Sequence, residues 1–582
     1  MALLTARPAR PIPVSRLGRI AGVVGLVAII AWFLVTFLYW PNLSIIHSAL
    51  FPPTGSLFDT IHALAASEQV QSALRNTIIV AVVSVVTVNV VGIAQAFLLE
   101  AFHLRAKAFF AIAFAVPLVF GSVSAVTGYA AVYGSNGLLT HAMLSVFPGI
   151  PPNWFSGMLA VILVHTFTMT GYHFLFLRPA IRRVDFSLVE AARSLGVRPI
   201  RALVSVVLPV LRPTLLAAVL MVFIAAVGSF AAPNILGGGH FTMIGPLIQA
   251  LTAFGRPDMS AVLGLGLGIL TAALLVLVLR TERRAALFAG SKSAKPFQPV
   301  RIHRRGARVA LYGAAGILAV INLAPLVTTL LMSLSSPAAI RNGSIGAPTF
   351  ENYIHVFTSS AQLGPLLNSL LLCAIAIPAA LVLGVAVTHL THRKRGLIPA
   401  ALQASLLLPY FLPGVLLALG FLIAFGASSA LVGGQVLVGG FWILPLAYTV
   451  ALLPTVFRFV RADYASMDPA LDEAARSLGA TGLRRFRTIM LPLLIPVLLQ
   501  VAALGFNSTF DEYTISVLLY NINSTPFGVA LGTLAATQDP STVGISTAYV
   551  VISTLIALTM VIVADRMSQR ASRLIGGSAG AR

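Results

Sequence analysis

Asn507, Ser508, Asp511 and Glu512 stand at the end of an apolar run at 493–510. An acid near the middle of a membrane-spanning helix costs roughly 2.5–3.5 kcal/mol, so a cluster kept there marks a route for a cation. The plainer reading puts Asp511 and Glu512 just beyond the hydrocarbon, meeting water only. His165, Tyr172 and His173 lie in another apolar stretch, where they either line a cavity or bond a neighbouring helix. Gly237, Gly238 and Gly239 read as a turn-rich loop, because no strand precedes them to make a phosphate cradle. No paired carboxylates, metal-spaced histidines or nucleophile–base pair stands out, and the chain does not read as an enzyme. The single cysteine, Cys373, excludes intramolecular disulfides and Cys-based metal sites and reads as a small packed hydrophobe.

A stronger signal is a repeat. Glu-Ala-Ala-Arg-Ser-Leu-Gly occurs at 190–196 and again at 473–479, each copy followed at the same distance by Leu208-Pro209 or Leu491-Pro492. Chance does not place seven identical residues twice at matched positions, so the chain is two related halves. An offset of 283 also superposes Asp185 on Asp468, Arg201 on Arg484 and Pro213 on Pro496. Upstream the offset is 292, which pairs Asn76 with Asn368 and Pro117 with Pro409. Each copy has helix grammar. Asp185 and Asp468 are N-caps, Pro469 suits the first helical position, and Gly196 and Gly479 are stops at positive φ. Ala470, Leu471, Ala474, Ala475 and Leu478 recur at helical spacing and give one small-residue apolar face. A polar, basic helix of about 15 Å between apolar spans reads as a docking surface for a soluble partner. Glu190 with Arg193, and Glu473 with Arg476, are placed to orient that contact. The plainer alternative is a loop packed on its own membrane domain.

The elements that position these residues are membrane spans. The 582 residues are 58% hydrophobic and 9% charged, with a mean hydropathy of +0.95, which defines an all-α polytopic membrane protein. Runs at 20–40, 76–99, 108–132, 154–177, 214–232 and 260–279 in the first half are each long enough to cross about 30 Å of hydrocarbon. The second half offers 309–332, 366–390, 397–425, 435–459, 493–510 and 544–563, for twelve spans in all. Residues 20–40 follow four arginines but are too long for a signal-peptide core, and read as the first span.

The net charge of +22 is a topology signal and does not indicate nucleic acid. Basic residues gather at 7–19, at Arg105 and Lys107, at 178–201, 280–308, 393–395, 458–487 and 566–582. The alternate loops, at 41–71, 133–153, 234–259, 333–364, 426–434 and 511–542, hold only Arg256 and Arg341. By the positive-inside rule both termini are cytoplasmic. The expected organisation is a cytoplasmic segment at 1–19, one half at 20–280, a basic cytoplasmic linker at 281–308, the other half at 309–566, and a tail at 567–582.

Glu190-Ala191-Ala192, then Gly196, Val206 and Pro209, repeated as Glu473-Ala474-Ala475, Gly479, Ile489 and Pro492, resembles the motif of binding-protein-dependent ABC importer permeases. The resemblance implies the type I importer fold in an inner (plasma) membrane, with each short helix seated in a cleft of an ATP-binding subunit. Two such subunits and an extracytoplasmic solute-binding protein are the implied partners, beside the lipid bilayer. No G-x-x-x-x-G-K-[ST] loop occurs, so ATP is expected to act on the partner subunits, with no cofactor in this chain. The fused arrangement is similar to iron(III) permeases, and also to thiamine and aminoethylphosphonate systems; polyamine permeases have related halves. A secondary transporter driven by an ion gradient is the alternative from another class. It predicts ionisable residues in mid-span, where this chain has few. A non-transporting scaffold would give the paired docking helix no reason to be mechanically coupled.

Overall fold

The computed structural model describes residues 14–53, 55–118, 120–289, 297–302, 304–392, 394, 396–537 and 539–577. Arg7, Arg10, much of the linker and the end of the tail therefore lie outside the described residues. Among the described residues nine helices are long and apolar enough to cross a membrane, and three broken pairs bring the total to as many as twelve.

The spans expected at 108–132 and 397–425 are broken. Lys107–Leu118 meets Ser122–Val146 at 113°, and Leu397–Phe411 meets Gly414–Phe425 at 109°. Pro117 and Pro409 occupy equivalent places in tight 3₁₀ turns just before the two breaks. Proline lacks an N–H and its ring collides with the carbonyl four residues back, so the α-helical ladder stops there. The third pair, Leu203–Val210 and Arg212–Val227, bends by 68° beside Pro213.

The broken pairs still cross. Glu100 ends one helix and binds Arg178 and Arg182 at the end of Gly157–Arg182, so the chain between them leaves that end and returns. In the second half His392, just past Ser360–Thr391, lies 5.1 Å from the ring of Tyr464 near the end of Ile443–Ser466. Val300 N–H donates to the Ala101 carbonyl at 2.8 Å, and Arg105 N–H donates to Tyr312 Oη at 2.8 Å. The start of the second half therefore lies at this same end, and so do both copies of the repeated string.

The halves repeat down to single hydrogen bonds. Asn76 Nδ2 donates to the Thr242 carbonyl at 3.0 Å, and Asn368 Nδ2 to the Thr525 carbonyl at 3.1 Å. Thr77 Oγ1 accepts from Ile244 N–H at 3.0 Å, and Ser369 Oγ from Phe527 N–H at 2.8 Å. The hydroxyls satisfy the first N–H of two short apolar helices, Ile244–Ala253 and Phe527–Thr537, and the amides hold the chain two residues ahead of each. Both lie within stretches the sequence reading treats as plain outer loops. At about 15 Å they cannot cross a bilayer, so hydropathy alone does not mark them. The largest apolar core joins the halves, packing Val227, Phe230 and Ile235 with Phe510, Phe527 and Tyr549.

Candidate functional site

At the shared end of the bundle the repeated strings form two short helices, Phe186–Ser194 and Pro469–Ser477. Asp185 Oδ1 accepts from Ser187 N–H at 3.0 Å, and Asp468 Oδ1 from Ala470 N–H at 2.9 Å. Gly196 and Gly479 close them at φ +81° and +75°. Gly196 N–H donates to the Arg193 carbonyl at 2.9 Å and Val197 N–H to Ala192 at 3.1 Å; the second copy repeats this with Gly479 to Arg476 at 2.9 Å and Ala480 to Ala475 at 3.0 Å. This is the Schellman ending, and glycine reaches it without a Cβ penalty.

That ending lifts Leu195 and Leu478 off the protein, 85% and 88% exposed. Both lie inside the repeated string, which is the signal that singles them out. Ala191, Arg193, Glu473, Ala474 and Arg476 are also exposed, and Glu190 is half-buried. The second alanine of each pair turns the other way: Ala192 packs against the apolar cluster of its own half, and Ala475 is buried. The single small-residue face expected from spacing is thus divided between the membrane domain and the outside.

The undersides of the two helices differ. In the first, Val189 and Ala202 are fully buried, and the Phe186 ring lies 5.6 Å from Phe297 of the linker. The equivalent positions in the second are Asp472 and Arg485, an ion pair at 2.9 Å. Beyond each short helix the chain makes a π-helical turn at an equivalent place, Leu203–Val207 and Phe486–Met490. The turn precedes Pro209 or Pro492, whose missing N–H and bulky ring displace the α-helical bond.

A chamber of about 460 Å³ is lined mainly by the first half, including Ser122, His165, Thr168, Tyr172 and Ser229, with Thr514 of the second half completing its wall. The His165 ring is pinned on both nitrogens, by Ser84 Oγ at 3.1 Å and Ser229 Oγ at 2.9 Å. His173 is instead buried and bonds Asn89 of a neighbouring helix at 2.9 Å. Of the three candidates in this stretch, His165 and Tyr172 face the chamber.

The four polar residues at the end of 493–510 do not converge. Ser508 Oγ donates to the Gly505 carbonyl of its own helix at 3.0 Å. Glu512 accepts from Ile515 N–H at 2.8 Å, from Ser516 N–H at 2.9 Å and from Ser516 Oγ at 2.7 Å, capping the turn that follows it. Asp511 is buried and points into the other half, where Oδ2 accepts from Ser124 N–H at 3.1 Å. Asn507 lines a small cavity beside it with Ser553 and Thr554. Neither acid simply meets water.

A helical membrane protein built of two matched halves, each carrying a capped polar helix at one common end, is the class these features define. The chain belongs to the family of binding-protein-dependent transport system inner membrane components, whose model matches residues 104–283 and 376–573. It is 39% identical over 557 residues to a probable ABC transporter permease protein of Sinorhizobium fredii, covering 95% of this chain and 98% of that relative. A putative ferric transport system permease protein of Haemophilus influenzae is 24% identical over 521 residues, 87% of this chain and 78% of the relative. A spermidine/putrescine transport system permease protein of the same species is 26% identical over 269 residues, covering 44% of this chain but 93% of itself. One relative thus corresponds to about half of this fused chain, as the internal repeat requires. This is a multi-pass permease of binding-protein-dependent ABC import, and the ion-gradient alternative falls with that membership.

Proposed function

We propose that this chain is the solute path of an ATP-driven importer of the inner (plasma) membrane, and that its two short helices seat two separate ATP-binding subunits. The observation that carries this reading is the pair of projecting leucines, Leu195 and Leu478, at the ends of matched, capped helices on one end of the bundle. An exposed leucine forgoes roughly 1.5–3 kcal/mol of burial, which a pocket on a partner recovers. Glu190, Ala191, Arg193, Glu473, Ala474 and Arg476 flank the tips and orient the contact. Ala192 and Ala475 hold each helix on its own half, and Gly196 and Gly479 set where it ends. In the cycle, ATP draws the subunits together; each pulls one helix, and the halves tilt to open the interior alternately inward and outward.

Both termini and the two helices then face the cytoplasm, in keeping with the basic loops. An extracytoplasmic solute-binding protein delivers the solute to the opposite face. ATP acts on the partner subunits, and this chain needs no cofactor. Iron(III) is the favoured solute, supported by a ferric relative matched over most of both chains. A putative 2-aminoethylphosphonate transport permease matched over 28% of this chain supports the phosphonate alternative. Thiamine and polyamines are the remaining candidates.

Replacing both leucines by serine should abolish co-purification of the ATP-binding subunits while leaving membrane insertion intact. Full retention of those subunits by the double variant would sink the docking reading.

A further inference from the structure

The helix Ser122–Tyr133 of the first half begins after Gly121, whose lack of a side chain leaves its first turn without a local cap. The cap comes from the other half. Asp511 Oδ2 accepts from Ser124 N–H at 3.1 Å, the third helical position, which an N-cap side chain ordinarily serves. A carboxylate there also meets the positive end of the helix dipole. Glycine at 121 is what admits it, since a Cβ at that position would lie 2.0 Å from Asp511 Oδ2. The residues that follow, Ser122, Ala125 and Val126, line the 460 Å³ chamber. The wall of the chamber in one half is therefore oriented by an acid of the other.

The repeat shows that this contact is one-sided. By the two offsets Asp511 corresponds to Gly228 and Gly121 to Pro413. A Cβ built on Gly228 lies 3.8 Å from the Pro413 side chain, so the equivalent contact exists and carries no carboxylate. Where one junction has an acid against glycine, its counterpart has glycine against proline. The latched junction is also incompletely bonded. Asp511 Oδ1 is buried without a hydrogen-bond partner, beside the small cavity shared with Asn507 and Ser553. Ser124 Oγ and Ser553 Oγ, 3.3 Å apart, close the same contact from the side.

We infer that Asp511 is the positioning residue of the transport cycle: it latches the second half to the chamber-lining helix of the first through the N-terminus of Ser122–Tyr133. The role rests on the import reading, in which the halves move against one another. Separation of the halves strips the buried carboxylate of its donor, so the latch favours the arrangement seen here. A lining residue for a cation would affect uptake alone; a latch shifts the conformational equilibrium even with no solute present.

The test uses the complete transporter, this chain with its ATP-binding subunits, in solute-free proteoliposomes. Spin labels at L139C and I522C report the separation of the halves; both sites are exposed, and the one native cysteine is buried. Asp511→Asn keeps the shape and removes the charge. It should shift the ratio of the two distance populations roughly tenfold, the difference between a charged and a neutral hydrogen bond, and move basal ATP hydrolysis in step. Gly121→Ala attacks the same contact from the other side, and the double variant should do no more than the stronger single one. Wild-type distances and hydrolysis in Asp511→Asn, or additive effects of the two variants, would overturn the latch. Should the variants fail to assemble, the unsubstituted protein decides: trapping with ATP and vanadate must change the 139–522 distance, and an unchanged distance overturns the proposal. Subunit association is expected to be normal throughout. Failure of the docking reading would appear in the leucine variants instead.

Discussion

The ending of the second short helix offers the sharpest test of how the paired levers work. Gly479 sits at φ +75°, and a Cβ built there meets nothing within 4 Å. Any penalty for a side chain is therefore backbone strain, free of steric collision. For an ordinary L-residue the left-handed conformation costs about 1–2 kcal/mol, and a β-branched residue fares worse. To escape, the chain must give up the bonds from Gly479 N–H to Arg476 and from Ala480 N–H to Ala475, 2.9 and 3.0 Å. Leu478 is then carried away from its projecting position. One to two kcal/mol corresponds to a factor of about 5–30 in the fraction of correctly ended helices. Gly479→Ala should weaken binding of the ATP-binding subunit by that factor, Gly479→Val by more, and Gly479→Asn least, because asparagine tolerates this conformation. Gly196, at φ +81° in equally open space, should show the same order. The assay is equilibrium binding of the ATP-binding subunit to detergent-solubilised permease, with expression as the control for insertion. Should Asn prove as damaging as Val, or Val prove harmless, the positive-φ stop is not what sets the docking geometry.

Two further outcomes are expected. Glu100, almost wholly buried, accepts from Arg178, Arg182 and Lys107. Because the Arg178 side chain is 13% exposed and cannot rehydrate in place, Glu100→Gln should cost about 3 kcal/mol in thermal unfolding; Lys107→Ala, removing a half-exposed partner, should cost under about 1 kcal/mol, and equal losses would refute the assignment. Asp472→Asn should loosen the second short helix by about 2 kcal/mol through its effect on Arg485, seen as faster hydrogen exchange at 469–479. Phe297→Ser should loosen only the first helix, and a uniform response of both would contradict their different undersides.

Much of the candidate site was legible because it is local. An N-cap aspartate, a string at helical spacing and a glycine stop act within a dozen residues, so Asp185, Asp468, Gly196 and Gly479 could be placed from neighbours alone. The apolar runs were legible for a related reason: a bilayer demands length and hydrophobicity from each segment separately. Legibility ends where a residue's role depends on what meets it in space. Spacing put Ala474 and Ala475 on one face, yet Ala475 is buried and Ala474 exposed. His165 and His173 looked alike in sequence, and only packing sent one to the chamber and the other to Asn89.

Sequence by itself determined the class, the duplication, the spans and the two capped helices, since each follows from periodicity, charge and backbone preference along a short stretch. Tertiary structure decided where spans break and cross, which face of each short helix remains open, and what the acids do. Adjacent in the chain, Asp511 and Glu512 part company: one caps the turn after it and the other caps a helix nearly four hundred residues away. The partner of a buried carboxylate is chosen by the fold, because a desolvated charge must find donors wherever the packed chain brings them.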